Sequence, residues 1–325
     1  MSIEGQMTMS ITYHDEHLVD HAAMLAMRAM IALQPAADLG PDGRPAFDEL
    51  MEKTPSAEGV EYEPAMLGGV PGWWCRPAGA EVGAAILYLH GGAYVVGSAK
   101  AYRPFAGQIA MRARAPAFVA DYARAPERPF PAAVDDAEAA YRALADTGVS
   151  RLAIVGDSAG GGLALVVTSG MTRAAREGVV PQPVATVALS PWTDLALTGE
   201  SITTRAEHDP LLTAAALQAA RERYLVGQHD PREPLASPLY GNLAGLPPTM
   251  LHVGEDEILL DDARRYAERL GAAGSAGELH IWKGMVHVFP ANLALLRAAR
   301  EATDDIGAFL RRHLTILPTN STVAV

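Results

Sequence analysis

The chain has 325 residues, 49% hydrophobic and 20% charged, with a formal net charge of −12. This is the composition of an ordinary globular chain with a sizeable core, and its acidic balance argues against nucleic acid or an anionic membrane as partner. Cys75 is the one cysteine, so no intramolecular disulfide can form; no apolar run reaches the ~18 residues of a membrane span and no basic stretch opens a signal peptide, so a cytoplasmic location is expected.

Leu18, Ala22, Leu25, Ala26, Ala29 and Leu33 repeat at helical spacing, which predicts a helix within residues 1–34. Met24, Met27 and Met30 crowd it; they read as helix packing, or as a flexible cover over an apolar ligand. His14, His17 and His21 share the helical spacing but, with His208, make no convincing metal set and read as an exposed face. Pro35 to Pro45 reads as a loop, and Val60 to Arg76 as a strand pair broken at Gly68-Gly69. Cys75, beside Trp73 and Trp74, reads as a packed small residue.

Ala84 to Leu89 is a continuous apolar run, the mark of a strand buried on both faces, and it ends in His90-Gly91-Gly92-Ala93-Tyr94. Ala117 to Ala120 is a further strand, followed by Asp121 to Glu127, and residues 132–146 are helical in pattern. Arg151 to Val155 leads into Gly156-Asp157-Ser158-Ala159-Gly160-Gly161 and then a helix-compatible segment. Ala185 to Leu189 is a strand ending in Ser190-Pro191-Trp192. Ser201 to Val226 is largely helical with a break at Asp209-Pro210. Thr249 to Val253 is a strand ending in Gly254-Glu255-Asp256-Glu257, and Asp261 is a plausible N-cap for the amphipathic helix that follows. Glu278 to Trp282 is the last strand, leading to Gly284-Met285-Val286-His287, and a C-terminal helix runs to about Leu314. Strands alternating with helices indicate a mostly parallel sheet covered on both faces.

In such sheets ligands bind at the carboxyl ends of the strands. His90-Gly91-Gly92, Ser158, the acidic run 255–257 and His287 all fall there. A serine is a weak nucleophile until a base accepts its proton and a carboxylate orients that base. A serine between glycines at a strand-to-helix turn is held in strained geometry with its hydroxyl exposed, and the order serine, acid, histidine is that of the α/β-hydrolases.

On His90-Gly91-Gly92-Ala93, Gly156 to Gly161, Ser190-Pro191-Trp192-Thr193-Asp194-Leu195, Ser237-Pro238-Leu239-Tyr240 and Gly284-Met285-Val286-His287, the chain resembles the hormone-sensitive-lipase-like bacterial esterases. The resemblance covers roughly residues 60–314. It implies an α/β-hydrolase with a mostly parallel eight-stranded sheet flanked by helices. It further implies a helical cap built from residues 1–45 and 200–226, a catalytic domain of residues 46–199 and 227–314, and a tail, 315–325. The implied activity is hydrolysis of carboxylic esters of short to medium acyl chains, with no cofactor or metal, by a possible homodimer. Lactone or amide hydrolysis with the same residues, or a non-catalytic binding relative, are the alternatives. The implied roles are nucleophile for Ser158, base for His287, and oxyanion donors for the N–H groups of Gly91, Gly92 and Ala159. Glu257 fits the acid's place without a gap, whereas Asp256 needs a shift of one residue. Two departures stand out. Ala93 replaces the motif's third glycine and is expected to reshape the acyl side of the pocket, and Arg124 is displaced by one position in Asp121 to Glu127, at an expected local structural cost. Trp73, Trp74 and Tyr94 are expected near the mouth of a small pocket.

Overall fold

The computed structural model describes residues 9–34 and 37–315. The expected tail, apart from Thr315, lies outside them. Among the described residues the strands are β1 (Met9–His14), β2 (Val60–Leu67), β3 (Val70–Pro77), β4 (Ala84–Leu89), β5 (Ala117–Ala120), β6 (Arg151–Asp157), β7 (Ala185–Leu189), β8 (Thr249–Gly254) and β9 (Gly277–Trp282). The α-helices are α1 (Leu18–Ala32), α2 (Arg44–Met51), α3 (Ala99–Ala113), α4 (Ala132–Asp146), α5 (Ser158–Arg176), α6 (Ser201–Thr204), α7 (Ala214–Tyr224), α8 (Leu260–Ala272) and α9 (Arg297–Leu314).

All nine strands form one sheet, in the order β1-β9-β8-β7-β6-β4-β5-β3-β2. The β2–β3 and β3–β5 pairs are antiparallel and the others parallel. The count is therefore nine, not the expected eight. The additional strand is β1, which pairs in parallel with β9 from Met9↔Gly277 to His14↔Trp282. Residues 9–14 thus belong to the sheet, and a cap spanning all of 1–45 is corrected. The loop expected from Pro35 to Pro45 is also shortened, because a 3₁₀ turn at Pro41–Gly43 leads into α2.

Side-chain alternation explains the unbroken apolar run of β4. Ala85, Leu87 and Leu89 join a core with Leu144 of α4 and Leu163 of α5, whereas Ile86 and Tyr88 pack on the opposite side with Phe105 of α3 and Phe309 of α9. Both faces are dry, so both sets must be apolar. Among the described residues no helix is long and apolar enough to cross a membrane.

Candidate active site

β4, β6, β8 and β9 deliver their carboxyl ends to one edge of the sheet. At the end of β6 the chain turns into α5, and Ser158, the first helical residue, has φ 54°. The flanking glycines are sterically required. A Cβ on Gly156 would lie 2.1 Å from the Gly160 carbonyl oxygen, and one on Gly160 would lie 2.2 Å from that of Leu89. Backbone packed this closely holds the serine in a conformation that costs an L-residue about 1–2 kcal/mol.

His287 Nε2 lies 2.8 Å from Ser158 Oγ, and His287 Nδ1 lies 2.7 Å from Glu257 Oε2. A carboxylate only accepts, so Nδ1 carries the proton, Nε2 is the acceptor, and the serine hydroxyl donates to it. Glu257 is fully buried; its other oxygen accepts from the Gly254 N–H at 2.6 Å and from Ser190 Oγ at 2.8 Å. Ser190 Oγ also accepts the Val288 N–H at 3.0 Å, so one hydroxyl braces both the carboxylate and the loop bearing the imidazole. Burial disfavours the imidazolium of His287. The hydrogen bond and charge of Glu257, helped by Asp209 and Asp157, outweigh it and leave its pKa raised.

Asp256 points elsewhere, its carboxylate taking Arg28 Nη2 of α1 at 2.7 Å. Glu255 faces Arg205 at 3.9 Å. Of the three neighbouring acids, the structure brings only Glu257 to His287.

The glycine loop differs from expectation at one position. The Gly91 N–H donates to Asp157 Oδ1 at 3.0 Å and so points into the protein, away from any oxyanion. Asp157 is buried and also accepts from Tyr88 at 2.8 Å and Tyr102 at 3.1 Å; burial, partly offset by those hydroxyls, pushes its pKa up to about 6. Among the described residues no acceptor takes the N–H of Gly92 or Ala93. The N–H of Ala159, in the first turn of α5, likewise has no acceptor among the described residues, as helix starts leave it. Ala93 and Tyr94 hold φ of 52° and 63°.

His90 supports this loop from below. It is fully buried, stacks on Tyr122 at 4.4 Å, and burial pushes its imidazole down. Arg124, the displaced arginine, donates from Nη1 to the Gly97 carbonyl at 2.5 Å, tying down the same loop. Trp73 and Trp74, expected near the mouth, are covered by arginines. Both lie on β3, under Arg103 and Arg76 at 4.4 and 4.2 Å. Tyr94 is buried and stacked on Tyr224 of α7 at 3.9 Å.

The profile of the α/β-hydrolase fold family matches residues 86–291. An acetyl-hydrolase of Streptomyces hygroscopicus is 44% identical over 240 residues, 73% of this chain and 78% of the relative. An esterase of Acinetobacter venetianus is 34% identical over 286 residues, 87% of this chain and 93% of that protein. The crystal structure of an esterase from the bacterial hormone-sensitive lipase family superposes with a TM-score of 0.84 at 38% identity, covering 92% of this chain and 100% of that one. The chain belongs to the hormone-sensitive-lipase-like family of α/β-hydrolases.

Several residues that serve this hydrolase's site carry no sequence signal of their own. Ser190 is visible only as part of the Ser190 to Leu195 motif, whose remainder is architectural: Asp262 Oδ1 accepts the N–H groups of Thr193 and Asp194, both at 2.8 Å. Ser237 accepts the Leu195 N–H at 2.7 Å, locking the second motif onto the first. Asp209, read as a helix break, accepts the Ile258 N–H at 2.9 Å and so steadies the residue after Glu257. Asp261 does not cap its own helix, which follows Leu259; its carboxylate takes the Ser201 N–H of α6 at 2.8 Å.

Proposed function

We propose that this hydrolase cleaves carboxylic esters of short to medium acyl chains through an acyl-enzyme on Ser158, with His287 as general base and acid and Glu257 as its orienting carboxylate. One observation carries the reading: the unbroken line from Ser158 Oγ through His287 to Glu257, at 2.8 and 2.7 Å. The serine oxygen attacks the ester carbonyl carbon while its proton passes to Nε2. The tetrahedral oxyanion is met by the N–H groups of Gly92, Ala93 and Ala159, with Ala93 taking the part first given to Gly91. Each such donor is worth on the order of 3 kcal/mol. Collapse expels the alcohol, which takes the proton from Nε2. Water then loses a proton to Nε2, attacks the acyl carbon, and releases the acid with Ser158 reprotonated.

Two observations support a small acyl group: Ser158 is only 9% exposed, and a relative is named for acetyl hydrolysis. Segments α1 and 200–226 are the proposed cap, joined by Arg28, which bonds both Asp256 and the His208 carbonyl. A homodimer is the proposed assembly, supported by β1 being an edge strand of the sheet among the described residues, with Ile11 and Tyr13 more than half exposed, and is checked by light scattering. The activity is tested with p-nitrophenyl esters of increasing chain length and a lactone. kcat/KM should peak at about eight carbons or fewer, as small enclosed pockets dictate. Ser158→Ala should lower turnover about 10⁶-fold in a folded protein. Retention of a hundredth of the activity by that variant would remove Ser158 from the mechanism.

A further inference from the structure

At the β1 edge of the sheet, away from the serine, lies a second cluster of chemically capable side chains. We propose that His14, His280 and Asp305 form a binding site for a divalent transition-metal ion of the zinc class, joining β1, β9 and α9. One imidazole nitrogen of each histidine and a carboxylate oxygen of Asp305 all lie within 4.8 Å of one another. His14 stands opposite Trp282, and His280 opposite Thr12, so strand alternation sends both rings to the same face of the sheet. α9 brings the carboxylate to that face.

The two rings are already oriented. His14 Nε2 and His280 Nδ1 are 2.9 Å apart. Two nitrogens on one tetrahedral zinc, each at about 2.0–2.1 Å, would be separated by about 3.3 Å, a shift of only a few tenths of an ångström from this spacing. His14 lies flat on Trp282 at 3.7 Å with a 2° interplanar angle, and His280 stacks on His252 at 4.6 Å. Behind His280, Glu278 Oε2 accepts from Nε2 at 3.4 Å, and Arg312 holds Glu278 at 2.9 Å. With the His280 proton on Nε2 toward this carboxylate, Nδ1 is left as the lone pair that faces His14. This is the outer support that metal-bound histidines commonly use.

Asp305 is half-buried, and no hydrogen bond among the described residues ends on its carboxylate. Two imidazoles and one carboxylate favour zinc, cobalt, nickel or copper over magnesium or calcium. The histidines invisible as a set in sequence become one because His14 ends a strand, while His17 and His21 turn to Glu301 and Glu16.

The test uses the full-length, tag-free protein dialysed against zinc or cobalt chloride at micromolar free metal, with bound metal and Tm as readouts. We expect one ion per chain that raises Tm and persists in His287→Ala. It should be lost from His14→Ala and from the isosteric Asp305→Asn, both of which still hydrolyse ester. Glu278→Gln should bind 10–100-fold more weakly, as loss of an outer partner does. The proposal is overturned if the wild type holds no ion, if both variants bind as well as the wild type, or if His287→Ala alone abolishes binding.

Discussion

In the proposed mechanism His287 has to be neutral before the serine attacks the ester and cationic while the tetrahedral species exists. Its surroundings tilt this balance, because the charge of Glu257 more than offsets burial and raises the imidazole pKa. Activity should therefore be lost as pH falls through a value above the ordinary ~6.5 of histidine, the neutral base being the active form. Glu257→Gln removes the charge that raises this pKa, so its acidic limb should move to lower pH while its plateau drops. A pH–rate profile whose wild-type limb lies below that of the Gln variant would contradict the assignment. The neighbouring acid gives a second comparison. Glu257→Ala should lower kcat by about 10³ to 10⁵, and Asp256→Ala by no more than about tenfold, since Asp256 faces Arg28 and not the imidazole. The opposite ranking in folded variants would transfer the role to Asp256.

The loop after β4 and the turn after β6 are held together by one carboxyl group, Asp157, which accepts from Gly91, Tyr88 and Tyr102. Burial sets its pKa at about 6, against ~3.9 for an unperturbed aspartate. A carboxyl whose folded pKa is raised contributes stability that is fully present below its unfolded pKa and is lost as pH rises through the folded value. Asp157→Asn cannot titrate, so its stability relative to the wild type should improve as pH rises from about 4 to about 6 and then level off. Denaturant melts at both ends of that window check this, and a difference independent of pH would show that Asp157 does not ionise there. The same elements show what a sequence discloses. β4 and β8 are legible because both faces are apolar, and Ser158 because backbone contacts exclude any side chain at Gly156 and Gly160. β1 escapes because four of its six residues are exposed and Leu18 onward imposes a stronger helical period. The direction of the Gly91 N–H is not legible, since it depends on a carboxylate 66 residues away.

At the scale of the whole molecule, the two ends of the described chain are joined through a buried carboxylate. Asp20 of α1 is fully buried, and its two oxygens accept the N–H groups of Arg297 and Ala298 at 2.7 and 2.8 Å. These are the first N–H groups of α9, which have no partner inside their own helix. Asp20 thus acts as an N-cap supplied from 277 residues away, and its negative charge sits at the positive end of the helix dipole. α9 in turn packs Ile306, Phe309 and Leu310 beneath the central strands, so loosening its start reaches the core. Met24, one turn along α1, seals the same junction against Trp282, Met285 and Phe289, just outside the loop that carries His287. The N-terminal segment is therefore part of the fold as well as a neighbour of the site. Asp20→Ala removes two charge-assisted hydrogen bonds and leaves two donors short of a partner, a cost of about 2–4 kcal/mol. Unfolding entropy scales with length, so for a chain this long that corresponds to a fall in Tm of roughly 3 to 6 °C. Asp20→Asn keeps one acceptor and should fall between the variant and the wild type. Calorimetry on the three proteins decides the matter, and an unchanged Tm in Asp20→Ala would mean that α1 is an appendage uncoupled from α9.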